Sequence, residues 1–241
     1  MGSEFNTEQF GDVYADGMET SYWNLARNRI ISHYIKENNL SQILDVGCGR
    51  GIVTTYLHQS GVSVTGVEIG TAVPIKKTDA LIYYGTDARD LPENFRNSIK
   101  TLSFFDVIEH IEEPVSFIKG IASFYPNVEN IIITVPARKE LWTNFDEHYG
   151  HYRRYDLNMI EEELKAAEFN KVYKKYFFHT LYLLIYPLTF GKIERKISFK
   201  PPGGFISRKI NQFMAFSLYL DTFIFPSRLA GTSILYIGKK A

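Results

Sequence analysis

Three acidic residues flank a glycine-rich turn at spacings that define a ligand. The turn is Leu44-Asp45-Val46-Gly47-Cys48-Gly49-Arg50-Gly51, at the end of one apolar run and the start of a helical pattern. Glycines in a strand-to-helix turn let a ligand approach the backbone closely. A dinucleotide fingerprint would carry its third glycine one residue later, where Ile52 stands. A carboxylate such as Asp45 beside the loop also repels a diphosphate, whereas it suits an ammonium group. Glu68 closes the next apolar run nineteen residues after Gly49, where an acid accepts hydrogen bonds from both hydroxyls of a ribose. Asp87, in Gly85-Thr86-Asp87-Ala88, follows the third run and could accept from an adenine amino group. Together the three acids describe a pocket for a ligand with an amino group, a ribose and an adenine, and no phosphate.

These residues can meet only if the chain brings successive strand ends together. Short apolar runs at 42–46, 62–67, 80–85, 101–108 and 130–135 alternate with helical patterns such as 52–59 and 114–124. That alternation predicts an α/β chain, a parallel sheet with helices on both faces, whose ligands lie at the carboxyl edge of the strands. A helix is expected over 20–38, with Trp23, Ile30, Ile31, Tyr34 and Ile35 near one face, and another over 156–169 starting at Asp156. Segments 171–180 and 232–238 read as two further strands. Between them lies an insertion, 181–231: apolar 181–190, basic 192–200, the breaker Pro201-Pro202-Gly203-Gly204 and a helix over 205–224. Neither apolar stretch reaches the ~18–20 uninterrupted residues that cross a bilayer. Residues 6–241 read as one domain, with an N-terminal helix within 20–40 and residues 1–5 as a cloning scar.

With those segments in this order, the chain resembles the class I S-adenosylmethionine-dependent methyltransferases. The resemblance rests on Leu44–Gly51, Val64–Glu68, Gly85–Ala88, Phe105-Asp106-Val107-Ile108-Glu109-His110-Ile111 and the strand 130–135 ending in Pro136, and covers about residues 20–180 plus 232–238. It implies a Rossmann-like three-layer sandwich with a seven-stranded, mostly parallel sheet and an antiparallel last strand. It also implies S-adenosyl-L-methionine as cofactor. By resemblance Asp45, Gly47 and Gly49 hold the methionine end, Glu68 the ribose, and Asp87 with Ala88 the adenine, while Asp106 and Ile108 flank the sulfonium. Cys48 belongs to the same cofactor turn, as a small packing residue and not a nucleophile.

A sulfonium already activates its methyl group, so the protein's part is to align an acceptor and, for a hydroxyl, to remove its proton. Two histidines are candidate bases: His110 after the fourth run, and His151 in Asp146-Glu147-His148-Tyr149-Gly150-His151-Tyr152-Arg153-Arg154-Tyr155. The latter resembles a Gly-His-x-Arg-Arg-Tyr segment of a methyltransferase subgroup found near glycan and lipid-linked sugar synthesis. Arg153, Arg154 and Tyr155 are expected to contact a phosphate or carboxylate of the acceptor. The other reading is that His151 and Arg154 brace the loop against the sheet by hydrogen bonds. Asp106-x-x-Glu109-His110 is close to the Glu-x-x-Glu-His of certain metal-dependent RNA and quinone O-methyltransferases. Because Asp stands first, as in metal-independent members, no metal is assigned.

The chain's 241 residues, 45% hydrophobic and 15% aromatic, exclude a disordered or repeat protein, and the one cysteine excludes an internal disulfide. Charge divides unevenly: residues 171–241 carry 12 bases and 2 acids, against 15 bases and 25 acids in residues 1–170. In the insertion, aromatic and aliphatic residues alternate with Lys192, Arg195, Lys196, Lys200, Arg208 and Lys209. That combination suits an anionic membrane surface, or else a cap or homodimer contact. Nucleic acid is disfavoured because no basic stripe crosses the acidic body. No signal peptide is read, which points to the cytoplasm, with peripheral contact to the inner face of a membrane left open. The leading expectation is methyl transfer to a hydroxyl of a small-molecule, glycan or lipid-linked acceptor. A non-catalytic binding protein built on the cofactor fold, and a metal-assisted O-methyltransferase, are the alternatives.

Overall fold

The computed structural model describes residues 17–71, 74–75, 78–189 and 201–241. Residues 1–5 and the basic run holding Lys192, Arg195, Lys196 and Lys200 lie outside them. Seven strands form one sheet: β1 (Ile43–Val46), β2 (Val64–Glu68), β3 (Ile82–Tyr84), β4 (Thr101–Phe105), β5 (Asn130–Pro136), β6 (Phe169–Phe177) and β7 (Ser233–Lys240), in the order β3-β2-β1-β4-β5-β7-β6. β1 to β5 pair in parallel, and β7 runs antiparallel between β5 and β6. This is the expected seven-stranded, Rossmann-like sheet, with the order reversing between β1 and β4 at the edge where ligands bind in such folds.

Period-two alternation gives each face its own core. Ile131, Ile133 and Val135 of β5 and Ile234 and Tyr236 of β7 pack on one side. Ile132, Leu235 and Ile237 pack on the other. The first face is covered by α3 (Pro114–Ala122) and α5 (Leu157–Ala166) through Ile118, Ile121, Ile160 and Leu164. The second is covered by α1 (Tyr22–Glu37) and α2 (Ile52–Gln59), joined by Ala215 and Leu218 from the insertion. Ser21 caps α1, accepting from Asn24 N at 3.2 Å, and the helix buries Ala26, Ile30, Ile31, Tyr34 and Ile35, with Trp23 half-buried. A short helix α4 (Asn144–His148) precedes α5, and the insertion contributes α6 (His179–Thr189) and α7 (Gly204–Ile224).

Three of the boundaries that differ from the apolar pattern fall at residues with left-handed backbone. The run 101–108 is strand only to Phe105, because Asp106 (φ 56°) turns the chain into a helical turn at Ile108–His110. The helix expected over 156–169 stops at Ala166, and Glu168 (φ 70°) redirects the chain so that Phe169 opens β6. β6 in turn ends at Phe177, Phe178 (φ 63°) breaks it, and Thr180 lies in α6. Hydrophobic periodicity cannot register such single-residue turns.

Since β5 is central and its Ile132 fully buried, Ile132→Ala is expected to lower stability by about 2–5 kcal/mol in urea unfolding. A loss below about 1 kcal/mol would mean that this face of the sheet is not close-packed.

Candidate active site

The glycine turn leaves β1 in left-handed conformations at Gly47 (φ 71°) and Gly51 (φ 80°), which L side chains rarely adopt, and a side chain at either would also press on a neighbour. A Cβ on Gly47 would stand 3.0 Å from Val107, and one on Gly51 only 2.3 Å from Ile82. The turn is therefore a bare-backbone cradle, tied to the end of β2 by Gly47 N donating to Val67 O at 2.9 Å. Cys48 packs its sulfur against Gly66, and burial pushes its thiol up, which fits a packing residue.

Glu68 locks the cradle. Its two oxygens accept from Gly49 N at 2.8 Å and Gly70 N at 2.9 Å. A carboxylate has about four acceptor sites, so each oxygen retains one for a ribose hydroxyl. Asp45 is placed differently from expectation. It is only 1% exposed, accepting from Thr54 Oγ1 at 2.6 Å and Ser103 Oγ at 3.3 Å. Each of its oxygens thus already holds one hydroxyl. Burial lifts its pKa from 3.8 to about 6, with the two hydroxyls opposing. Asp87 lies beyond β3, gripped by Arg89 through Nε at 2.8 Å, and that guanidinium holds its carboxyl below the usual range. An adenine amino group would share it with Arg89. Ala88 follows, its carbonyl accepting from the buried Tyr125 hydroxyl.

At the end of β4, Asp106 forms an ion pair with Arg27 Nε of α1 at 3.0 Å and accepts from Thr134 Oγ1 at 3.2 Å. Arg27 also stacks on Trp23, 4.9 Å from the ring centroid, and its charge opposes the rise in the pKa values of Asp45 and Glu109. The expectation for Ile108 is corrected. Its side chain is fully buried in the core beneath the sheet and offers a ligand no surface.

The two histidines meet. The rings of His110 and His151 lie with centroids 4.7 Å apart at 72°. Burial first, then the neighbouring His151, holds His110 down to about 3, so it stays neutral. His151 Nδ1 stands 2.8 Å from Asp146 Oδ1. Pairing with a carboxylate puts the ring proton on Nδ1 and leaves Nε2 as the basic nitrogen. Asp146 is itself buried, accepting Thr143 N at 2.9 Å in the capping box of α4 and Arg154 Nε at 2.7 Å. Burial alone would raise its pKa, but His151 and Arg154 hold it below the usual range.

The expected substrate clamp is corrected as well. Arg154 also donates to Ala137 O at 3.1 Å, and Arg153 donates to Ile111 O at 3.3 Å and to Glu112 O, with Glu163 3.5 Å away. Tyr155 is fully buried, and its backbone pairs with Pro136 and Arg138 beside β5. Through these contacts the three residues brace the loop against β5 and the turn after β4.

Glu109 is 1% exposed and Oε2 has no hydrogen-bond partner among the described residues, so burial raises its pKa well above the ordinary value. Glu109, His110 and His151 offer ligand atoms within 4.8 Å of one another. The trio a divalent ion could use is therefore not Asp106-Glu109-His110, since Asp106 is engaged by Arg27 and His151 takes its place. Sequence reasoning missed Arg27, Asp146, Thr54 and Ser103. The available signals were an arginine inside the apolar stripe of α1 and the spacing Thr143-x-x-Asp146 of a capping box.

A family profile described as a methyltransferase domain matches residues 21–174. The chain belongs to that family, and its fold and cradle are those of a class I S-adenosylmethionine-dependent methyltransferase. It is similar to the ubiquinone biosynthesis O-methyltransferase of Pseudomonas paraeruginosa, at 30% identity over 85 residues, a stretch covering 32% of this chain and 37% of that protein. In fold it is similar to magnesium protoporphyrin IX methyltransferase of Synechocystis with bound S-adenosylhomocysteine (TM-score 0.54, 12% identity, 97% and 94% coverage). It is likewise similar to the Haloferax volcanii methyltransferase in complex with the activator Trm112 (TM-score 0.56, 13% identity, 98% and 99% coverage). S-adenosylmethionine fits the residues present: a turn whose backbone is bare at Gly47, Gly49 and Gly51, spare acceptor sites on Glu68 and a negative field from Asp45 for its ammonium and sulfonium.

Two binding measurements check this pocket. Glu68→Ala is expected to weaken S-adenosylmethionine by about 1–3 kcal/mol in a thermal-shift titration, and unchanged affinity in a folded variant would remove Glu68 from the pocket. Asp45 is ionised only above about pH 6, so affinity should fall as pH drops through that value. Asp45→Asn should bind more weakly at pH 8 and lose the dependence; a persisting slope would assign it to another group.

Proposed function

We propose that this protein transfers the methyl group of S-adenosylmethionine to a hydroxyl oxygen, with His151 as general base. The observation that carries the reading is the His151–Asp146 pair, 2.8 Å between Nδ1 and Oδ1, beside His110 and the end of β4. The cofactor supplies a methyl group activated by sulfonium and departs as a neutral thioether. The chain does the rest. Asp146 fixes the tautomer and orientation of His151, and Nε2 takes the acceptor's proton as its oxygen attacks. His110, held neutral by burial, adds no positive charge to oppose that transfer. Arg153, Arg154 and Tyr155 keep the loop in register. The Pseudomonas relative is named a ubiquinone biosynthesis O-methyltransferase, which supports oxygen as the acceptor atom.

His151→Gln is expected to lower kcat by about 10²–10⁴-fold with cofactor affinity unchanged. Loss of cofactor binding in that variant would make His151 a structural residue. Asp146→Asn should also lower kcat and shift the pH profile, as expected of a positioning residue.

A divalent ion is the second reading, favoured by the unpartnered Oε2 of Glu109 next to two imidazoles. Glu109, His110 and His151 would hold it, and it would polarise the acceptor oxygen. Chelation followed by addition of Mg²⁺ or Mn²⁺ separates the readings. Full turnover under chelator keeps His151 as base; turnover restored only by metal makes it a ligand.

A further inference from the structure

We propose that the surface formed by α6 and α7 seats the protein on an anionic lipid membrane. α7 is held along one stripe. Asn211 accepts from Tyr22 N at 2.8 Å and donates to Thr20 O at 2.6 Å, Ala215 and Leu218 enter the core, and Lys175 donates to Thr222 O. The opposite stripe, at helical spacing, is Ile206, Ile210, Phe213, Leu220 and Ile224. All five are exposed, with Ile206 at 74%, Phe213 at 70% and Ile224 at 72%. From Gly204 to Met214 every residue except Asn211 is exposed, so the first half of α7 stands out from the body. α6 adds exposed Leu183, Leu184 and Leu188. Soluble monomers rarely expose contiguous apolar patches of more than a few hundred Å², and larger ones mark interaction sites.

Charge selects the occupant. In residues 179–189 and 201–231 the exposed charges are Arg208, Lys209 and Arg228, all positive. The one acid there, Asp221, is buried and accepts from Thr180 N at 2.8 Å. A lipid surface supplies both complements, an acyl layer for the aliphatic and aromatic side chains and negative headgroups for the bases. A second copy paired about a two-fold axis would match the apolar stripe but set one acid-free basic patch against another, which disfavours that pairing. Residues 1–170, with 25 acids and 15 bases, are repelled by the same headgroups, which orients the molecule with α6 and α7 downward. No helix among the described residues is long and apolar enough to cross a membrane, so the contact is interfacial. α6 also touches the loop after β5, where Tyr182 donates to Glu140 Oε1 at 3.1 Å.

Co-sedimentation of the full chain with vesicles tests the proposal. The probes are phosphatidylglycerol–phosphatidylcholine vesicles, and phosphatidylcholine vesicles as the neutral control. The protein is expected to pellet with the anionic vesicles at low salt, to bind the neutral ones about tenfold less, and to lose part of its binding at high salt. Phe213→Ser combined with Ile206→Ser should abolish pelleting and leave the circular dichroism spectrum and cofactor affinity unchanged. Failure to pellet with either vesicle would overturn the proposal. So would equal binding to both, or a wild-type dimer in light scattering that the double variant dissociates while lipid binding is absent.

Discussion

Carboxyl groups crowd the carboxyl edge of the parallel strands, and burying a charge without a partner costs several kcal/mol. Asp45, Glu68, Glu109 and Asp146 are buried there, and Asp106 is half-buried. Each has its own answer. Hydroxyls of α2 and β4 meet Asp45, backbone amides meet Glu68, and His151 with Arg154 meets Asp146. Asp106 takes Arg27 from a different element altogether. Glu109 Oε2 finds no partner among the described residues, and burial pushes its carboxyl well above the ordinary value. The edge is thus a concentration of negative potential, and a ligand carrying both an ammonium and a sulfonium complements it.

This constraint explains why α1 belongs to the site and not merely to the scaffold. Its apolar stripe packs on one face of the sheet, and Arg27 interrupts that stripe at the place where Asp106 ends β4. The same helix receives Asn211 and the tyrosine–lysine contact of Tyr34 with Lys175, so the edge of the sheet, α1 and α7 form one packed unit. α7, which carries the outer apolar surface, thus packs on the same helix that supplies Arg27.

Much of the cradle was legible because its signal is local. Gly47, Gly49 and Gly51 fall within one strand-turn-helix, and Glu68 ends the next strand, so chain order alone brings them together. The acceptor side was less legible. Arg153 and Arg154 have the residue types of an anion clamp, yet the structure gives their guanidinium groups to backbone carbonyls, Glu163 and Asp146. Which partner an arginine meets is a tertiary matter that residue type does not encode. Asp45 is similar: its type suited a direct ligand contact, but Thr54 and Ser103, nine residues and a strand away, enclose it. His151 was identified as a candidate base, whereas the Asp146 that orients it was visible only as a helix-capping pattern.

Calorimetric titration of the unmodified protein with S-adenosylmethionine and S-adenosylhomocysteine tests the central claim, that this acidic edge is a cofactor pocket. One site per chain with micromolar affinity for each ligand, about −8 kcal/mol, is the expected result. Absence of a binding isotherm for both ligands at neutral pH would contradict it.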